Sequence, residues 1–165
     1  MIVSALSRLA VASIFLLTSV AGIVSADGWD PQRLEATTVA TQLIQPMELA
    51  IAPDGKIFLI ELSGTIKLVD PISNEVKIVG KLEVTTAQEN GLIGLALDPQ
   101  FEKTPWVYLQ YSPPEFSGQQ ISRFLFRNGT IDLTSEQKIF RYEEQRRECC
   151  HHAGSMTFGP DGCLL

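Results

Sequence analysis

Only two histidines and three cysteines occur among the 165 residues, and each scarcity narrows the chemistry. Cys149 and Cys150 are adjacent and Cys163 stands apart, so zinc-type Cys-x-x-Cys pairs and the haem-attachment pattern Cys-x-x-Cys-His are both missing. The odd count leaves at least one thiol unpaired within the chain. Cations are few and scattered, 13 Lys and Arg against 19 Asp and Glu for a net charge of −6, so no basic face is available and nucleic acid is excluded as the natural partner. No long apolar run follows residue 24, and no later stretch of helical length has apolar residues recurring at a 3.6-residue period. With 45% apolar and 19% charged residues, the composition is nevertheless that of a folded chain rather than a disordered one.

What is present begins with a leader. Arg8 supplies a positive charge, an apolar stretch over 9–24 is interrupted only by Ser13, Thr18 and Ser19, and Val24-Ser25-Ala26 is a small-residue cleavage site. That stretch runs to about 15 residues, short of the roughly 20 needed to cross a bilayer. Residues 1–26 are therefore expected to be a cleaved signal peptide. The product would be secreted or periplasmic, with no stable membrane span after cleavage. Residues 27–46 read as a lead-in, with one extended strand expected over 34–44 from its Thr and Val content.

From residue 47 onward, short strand-like runs alternate with turn residues. Expected strands are 47–52, 56–62, 65–70 and 76–82, the last with Val76, Ile78 and Leu82 on one face and Lys77 and Lys81 on the other. A second set follows over 92–98, 106–111, 120–127 and 138–142, with Asn128-Gly129 as a turn in preference to a glycosylation acceptor. A third set opens at 155–159. Pro53-Asp54-Gly55 and Pro160-Asp161-Gly162 close the first strand of their sets, and Asp98-Pro99 is a looser copy. Proline presets φ at the second turn position, and Asp and Gly suit those that follow. Four strands recurring in this way mark a β-propeller blade. The fold class is thus all-β, with about two complete four-stranded blades and the start of a third over 47–165. Because propellers close with four to eight blades, the chain is read as a truncated N-terminal portion, expected to fold poorly alone.

The two histidines sit together in Cys149-Cys150-His151-His152-Ala153-Gly154-Ser155-Met156, just ahead of the third set. Histidine is the side chain whose ordinary pKa lies nearest neutrality, hence the default mover of protons. Two motifs then look familiar. Glu89-Asn90-Gly91-Leu92-Ile93-Gly94-Leu95-Ala96-Leu97-Asp98-Pro99-Gln100-Phe101 resembles one signature of the soluble quinoprotein glucose/sorbosone dehydrogenase family. The segment from His151 to Gly162 resembles another, and the two occur in the family's order. The resemblance implies a six-bladed propeller that oxidises a sugar or related alcohol by hydride transfer to pyrroloquinoline quinone (PQQ), usually with calcium. It implies that His151 is the general base and that Glu89 lines the substrate and cofactor pocket, with Asn90 and His152 as weaker pocket candidates. It leaves the electron acceptor unidentified.

Several residues depart from the family pattern. Cys150 stands where glucose dehydrogenases carry an acid, Ser155 where Arg is common, Asp98 where His is frequent and Gln100 where Asp is usual. The calcium ligands, and the cations that clamp the quinone's carboxylates, belong to later blades, so the chain is expected to be inactive by itself. Other readings of the residues stay open. Cys149-Cys150 suits a vicinal disulfide or a soft metal contact, and Glu143-Glu144-Gln145-Arg146-Arg147-Glu148 reads as a solvated loop. Propellers also serve as non-enzymatic binding modules. A sugar-lactone hydrolase on a similar propeller would need metal-binding carboxylates that the sequence does not display.

Overall fold

The computed structural model describes residues 35–148, 152 and 154–165. The expected leader, and Cys149, Cys150 and His151, lie outside the described residues. Thr37–Leu165 form one compact unit. Its first sheet consists of β1 (Pro46–Ile51), β2 (Ile57–Glu61), β3 (Thr65–Asp70) and β4 (Glu75–Lys81), antiparallel and in sequence order. A second sheet repeats the plan with β5 (Leu92–Leu97), β6 (Trp106–Tyr111), β7 (Gly118–Arg127) and β8 (Thr130–Glu143). A third unit begins at Phe158, which bridges Leu164. These are the radial blades of a partial β-propeller.

The repeated turns fold alike. In the first, Gly55 has φ 84° and its N–H reaches Ala52 O at 2.9 Å. In the third, Gly162 has φ 81° and its N–H reaches Gly159 O at 3.0 Å. Both glycines occupy the left-handed region that a side chain makes costly.

The sheets pack face to face. Phe58, Ile60 and Ile66 of the first meet Leu95, Val107, Leu109 and Phe124 of the second, all at most 2% exposed. At one end Phe58 sets its ring edgewise against Phe101 (5.6 Å) and Phe126 (5.0 Å). Each such side chain contributes about 1.5–3 kcal/mol by leaving water. On the far face of the second sheet, Phe158 stands edge-on to Tyr108 at 5.0 Å, which seats the start of the third unit.

Three expectations are corrected. The lead-in strand does not form over the described residues 35–44, because Gln42 (φ 58°) and Gln45 (φ 48°) break an extended backbone. In β4 a register shift opposite Ile66 and Lys67 inserts an extra residue, which turns Val79 inward (3% exposed) and leaves Ile78 outward (68%). Val76 is also exposed. Finally, β8 begins eight residues before the expected strand at 138. Asn128 (φ 51°) and Gly129 (φ 77°) form a two-residue turn that pairs Arg127 with Thr130 at once. Ser135 Oγ then accepts the Leu125 N–H (2.8 Å) where the ladder slips.

A buried ion pair anchors the lead-in to the first sheet. Glu61, 3% exposed, accepts from Lys67 Nζ (2.5 Å) and from the Ile44 N–H (2.7 Å). Burial alone would raise this carboxyl, but the Ile44 N–H and the Lys67 ammonium outweigh burial and hold it below its ordinary 4.5. A carboxyl whose folded pKa lies below its unfolded one stabilises above the unfolded value, and that contribution is lost as pH falls through the folded value. Glu61→Gln should therefore cost about 3 kcal/mol at neutral pH by stranding the ammonium. In urea denaturation the variant and the parent should converge as pH drops below the ordinary carboxylate range. A gap that persists undiminished into acid would contradict this.

Candidate active site

At the end of the second sheet away from the Phe58 ring cluster, the chain enters β5 through a tight turn. Ala87–Glu89 form a single 3-10 turn in which Gln88 (φ 56°, ψ 46°) and Glu89 (φ 67°) are both left-handed without being glycine. Two such residues in succession carry strain of order 1–3 kcal/mol each, a feature that clusters at functional sites. The turn is clamped from its C-terminal side. The Asn90 N–H reaches Ala87 O at 3.1 Å, and Asn90 Nδ2 donates to the same oxygen at 2.7 Å. Asn90 itself is 1% exposed, whereas Glu89 is exposed at the rim.

The second motif is laid against the first by two glycines. A Cβ on Gly94 would collide with the Gly154 carbonyl oxygen, and one on Gly154 would come within 2.6 Å of Ile93 Cγ1. Backbone contact this close is open only to glycine. It places His152 against Asn90, with Nε2 3.4 Å from Asn90 Nδ2. The opposite nitrogen, Nδ1, lies 3.0 Å from Glu144 Oε1, and the His152 side chain is only 6% exposed. Glu144 Oε1 also accepts from Gln119 Nε2 (2.8 Å), which donates to Ser112 Oγ as well (2.8 Å). Ser112 Oγ accepts the Gly91 N–H at 3.2 Å and so returns the network to the first motif. Burial, and then the Glu144 charge, push the neighbouring Tyr142 phenol up.

The acidic and basic run is solvated only in part: Glu143, Gln145, Arg147 and Glu148 are exposed, whereas Glu144 and Arg146 are drawn in. Besides Glu144, Arg146 inserts its guanidinium between the sheets, where it donates to Thr85 Oγ1 (3.3 Å), Pro113 O (3.3 Å) and Gly118 O (2.9 Å). Gln88 Nε2 donates to Arg147 O at 3.2 Å, tying the strained turn to the same segment. Reading the sequence as charged and exposed missed these residues; the one available hint was the position of the run directly before the histidines.

Thus Asn90 and His152 are brought together, Glu89 stands beside them, and His151 lies outside the described residues. Two buried acceptors, Asn90 Oδ1 and Gln119 Oε1, have no hydrogen-bond partner. Such atoms call for a donor, a hydroxyl or a water. No group of three or more His, Cys, Asp or Glu able to hold a metal occurs among the described residues, and Cys163 is an exposed free thiol. An apolar groove of about 490 Å³, lined in part by Phe58, Phe101 and Phe126, lies at the other end of the strands. It is a seam between blades, remote from this polar constellation.

Comparison with known proteins bears on the family and the fold. A family model described as glucose / sorbosone dehydrogenase matches residues 43–165. An uncharacterized protein of Synechocystis sp. is 29% identical over 80% of this chain and 34% of its own length. Quinoprotein glucose dehydrogenase B of Acinetobacter calcoaceticus is 26% identical over 79% of this chain and 29% of its own. The solved structure of a PQQ-bound aldose sugar dehydrogenase from Streptomyces coelicolor superposes with a TM-score of 0.69 at 28% identity, covering 78% of this chain and 39% of that one. The chain thus spans about a third of the length of the relatives it matches.

The glycine contact yields a direct expectation. Gly94→Ala should displace the segment from His152 onward and cost about 1–3 kcal/mol, as overpacking does. Hydrogen exchange at the Thr157 amide, now bonded to Leu165 O at 3.1 Å, should accelerate. Unchanged exchange and stability would show that the glycine contact does not hold the segment.

Proposed function

Because the chain belongs to the glucose/sorbosone dehydrogenase family, we propose that it supplies the substrate side of a PQQ-dependent site that oxidises a sugar or a related alcohol. The observation that carries this reading is the meeting of the two motif segments, Asn90 and His152 at 3.4 Å, beside a strained turn that presents Glu89. In this proposal Glu89 holds a substrate hydroxyl at the rim. His151 takes the proton from the hydroxyl on the carbon being oxidised, a task suited to a neutral imidazole within hydrogen-bond reach. Asn90 and His152, both buried, form the floor that keeps these two in register.

PQQ, when bound, supplies the redox chemistry. Its carboxylates require cations, and the described residues around the site do not fit them. The terminal nitrogens of Arg146 are committed to Thr85, Pro113 and Gly118, only its buried Nε–H is left unpaired, and the other cation on this loop, Arg147, is exposed. The orphaned acceptors Asn90 Oδ1 and Gln119 Oε1 suit hydroxyl donors instead. On this chemistry the 165-residue chain is inactive by itself, and the quinone's carboxylates are held by residues other than those described. Calcium and the electron acceptor gain no assigned residue. Export through a leader ending at Ala26 belongs to the same proposal.

Two experiments test it. In a chimaera joining residues 43–165 to the remaining blades of an active relative, His151→Ala should lower kcat for aldose oxidation about 100- to 10,000-fold while PQQ affinity is retained. Unchanged turnover would remove His151 as the base and favour a binding module. N-terminal sequencing of the product exported by its host should read Asp27 first, and a product that retains Met1 would refute cleavage.

A further inference from the structure

We infer that Glu144 is a positioning residue that fixes the tautomer of His152 and, through it, the orientation of the Asn90 amide. The inference deepens the proposed function, since it concerns how the floor beneath Glu89 and His151 is held. Glu144 accepts at Oε1 from two directions, His152 Nδ1 at 3.0 Å and Gln119 Nε2 at 2.8 Å. An ionised carboxylate has only acceptor sites, so the hydrogen of a neutral His152 must reside on Nδ1. Nε2 is then bare and can only accept. Asn90 Nδ2 lies 3.4 Å from it and has two hydrogens to give, one directed at Nε2 and the other at Ala87 O, 2.7 Å away.

Each link follows from the one before. With Nδ1 protonated, the Asn90 nitrogen must face the imidazole, because its oxygen would meet a lone pair. The Asn90 oxygen is thereby turned to the other side, where it is buried without a partner. Were the imidazole hydrogen on Nε2 instead, it would confront the Asn90 NH2 donor to donor. The amide could relieve that clash only by giving up its bond to Ala87 O, the bond that closes the strained turn. The His152 side chain is only 6% exposed, which leaves its ring nitrogens little access to water. The Nδ1–H form is the opposite of the one that prevails in a free imidazole, so the environment must impose it. Among the described residues, the charged group in contact with Nδ1 is Glu144.

The test reads the tautomer directly and needs no turnover. Nitrogen-15 NMR of the full chain at neutral pH reports which ring nitrogen is protonated. Since the chain has only two histidines, a His151→Gln variant leaves one imidazole to assign. His152 should be the Nδ1–H form. Glu144→Gln, which can keep an acceptor oxygen in place, should preserve it, whereas Glu144→Ala should let it revert to Nε2–H and shift the Asn90 side-chain amide resonances. In the active chimaera, Glu144→Ala should lower kcat about 10- to 100-fold, as loss of an outer orienting partner does, with KM little changed and Glu144→Gln largely restored. An Nε2–H imidazole in the parent chain, or an Nδ1–H tautomer that survives Glu144→Ala, would overturn the inference. Should the chimaera oxidise no sugar, the proposed function fails while the tautomer result stands or falls by itself.

Discussion

A β-sheet whose strands are apolar on both sides has to be covered on both sides, and the placement of everything else in this chain follows from that constraint. β2 shows it directly: its burial is nearly continuous where a sheet covered on one side would alternate. Phe58 and Ile60 enter the seam with the second sheet, while Leu59 and Glu61 face the other way and are also buried. On β1, the side away from that seam exposes Met47, Leu49 and Ile51 by 44–66%. This is the residue pattern of a radial blade and not of a two-layer sandwich, in which each sheet would keep one polar face.

The seam also fixes where polar chemistry can be placed. At the Phe58 end it is closed by three aromatic rings. Toward the other end the apolar side chains give way to Tyr111, Gln120 and Ser122, all satisfied by Glu136 at 2.7–2.8 Å. Burial, and then the hydrogen bond to Glu136, push the Tyr111 phenol up. Beyond that layer lie Ser112, Gln119, Asn90 and His152. A buried polar group stranded without a partner costs about 1–3 kcal/mol, so a network this deep is tolerated only when almost every member is paired. The few atoms left over, Asn90 Oδ1, Gln119 Oε1 and Arg146 Nε, are then informative. The first two belong to one hydrogen-bonded chain beneath the strained turn.

Local chemistry made the fold legible. Pro-Asp-Gly turns and period-two strands are written in adjacent residues, and both complete blades appear where that pattern put them. The failures come from what adjacent residues cannot express. Val79 turns inward because β4 carries an extra residue opposite Ile66 and Lys67, a property of the pairing and not of the strand. The polar run at 130–137 is a strand because it is the outermost one, held by β7 on one side and free to face water on the other. Glu144 and Arg146 looked solvated because the groups that desolvate them, Gln119, Thr85, Pro113 and Gly118, are 25 to 61 residues away in sequence. The motif resemblance pointed to Glu89, Asn90 and His152, of which the fold brings Asn90 and His152 together, but no motif pointed to the Glu144 carboxylate beside the imidazole.

Ser155 shows how a departure from the family pattern alters the floor of the site without altering the fold. It follows Gly154, so the glycine contact with Gly94 fixes its backbone. Its Oγ donates to Glu48 Oε2 at 3.1 Å, joining the start of the third unit to β1 across 107 residues of sequence. An arginine, common at this position in the family, would meet the same carboxylate as a charged pair and add a cation near the inner strands. With serine the link is a neutral donor to the Glu48 side chain. Glu48, Glu89 and Glu144 add acceptor oxygens at this end, where the Arg146 guanidinium is bonded to Thr85, Pro113 and Gly118. For the site proposed above, the unpartnered acceptors Asn90 Oδ1 and Gln119 Oε1 suit the donors that hydroxyls offer.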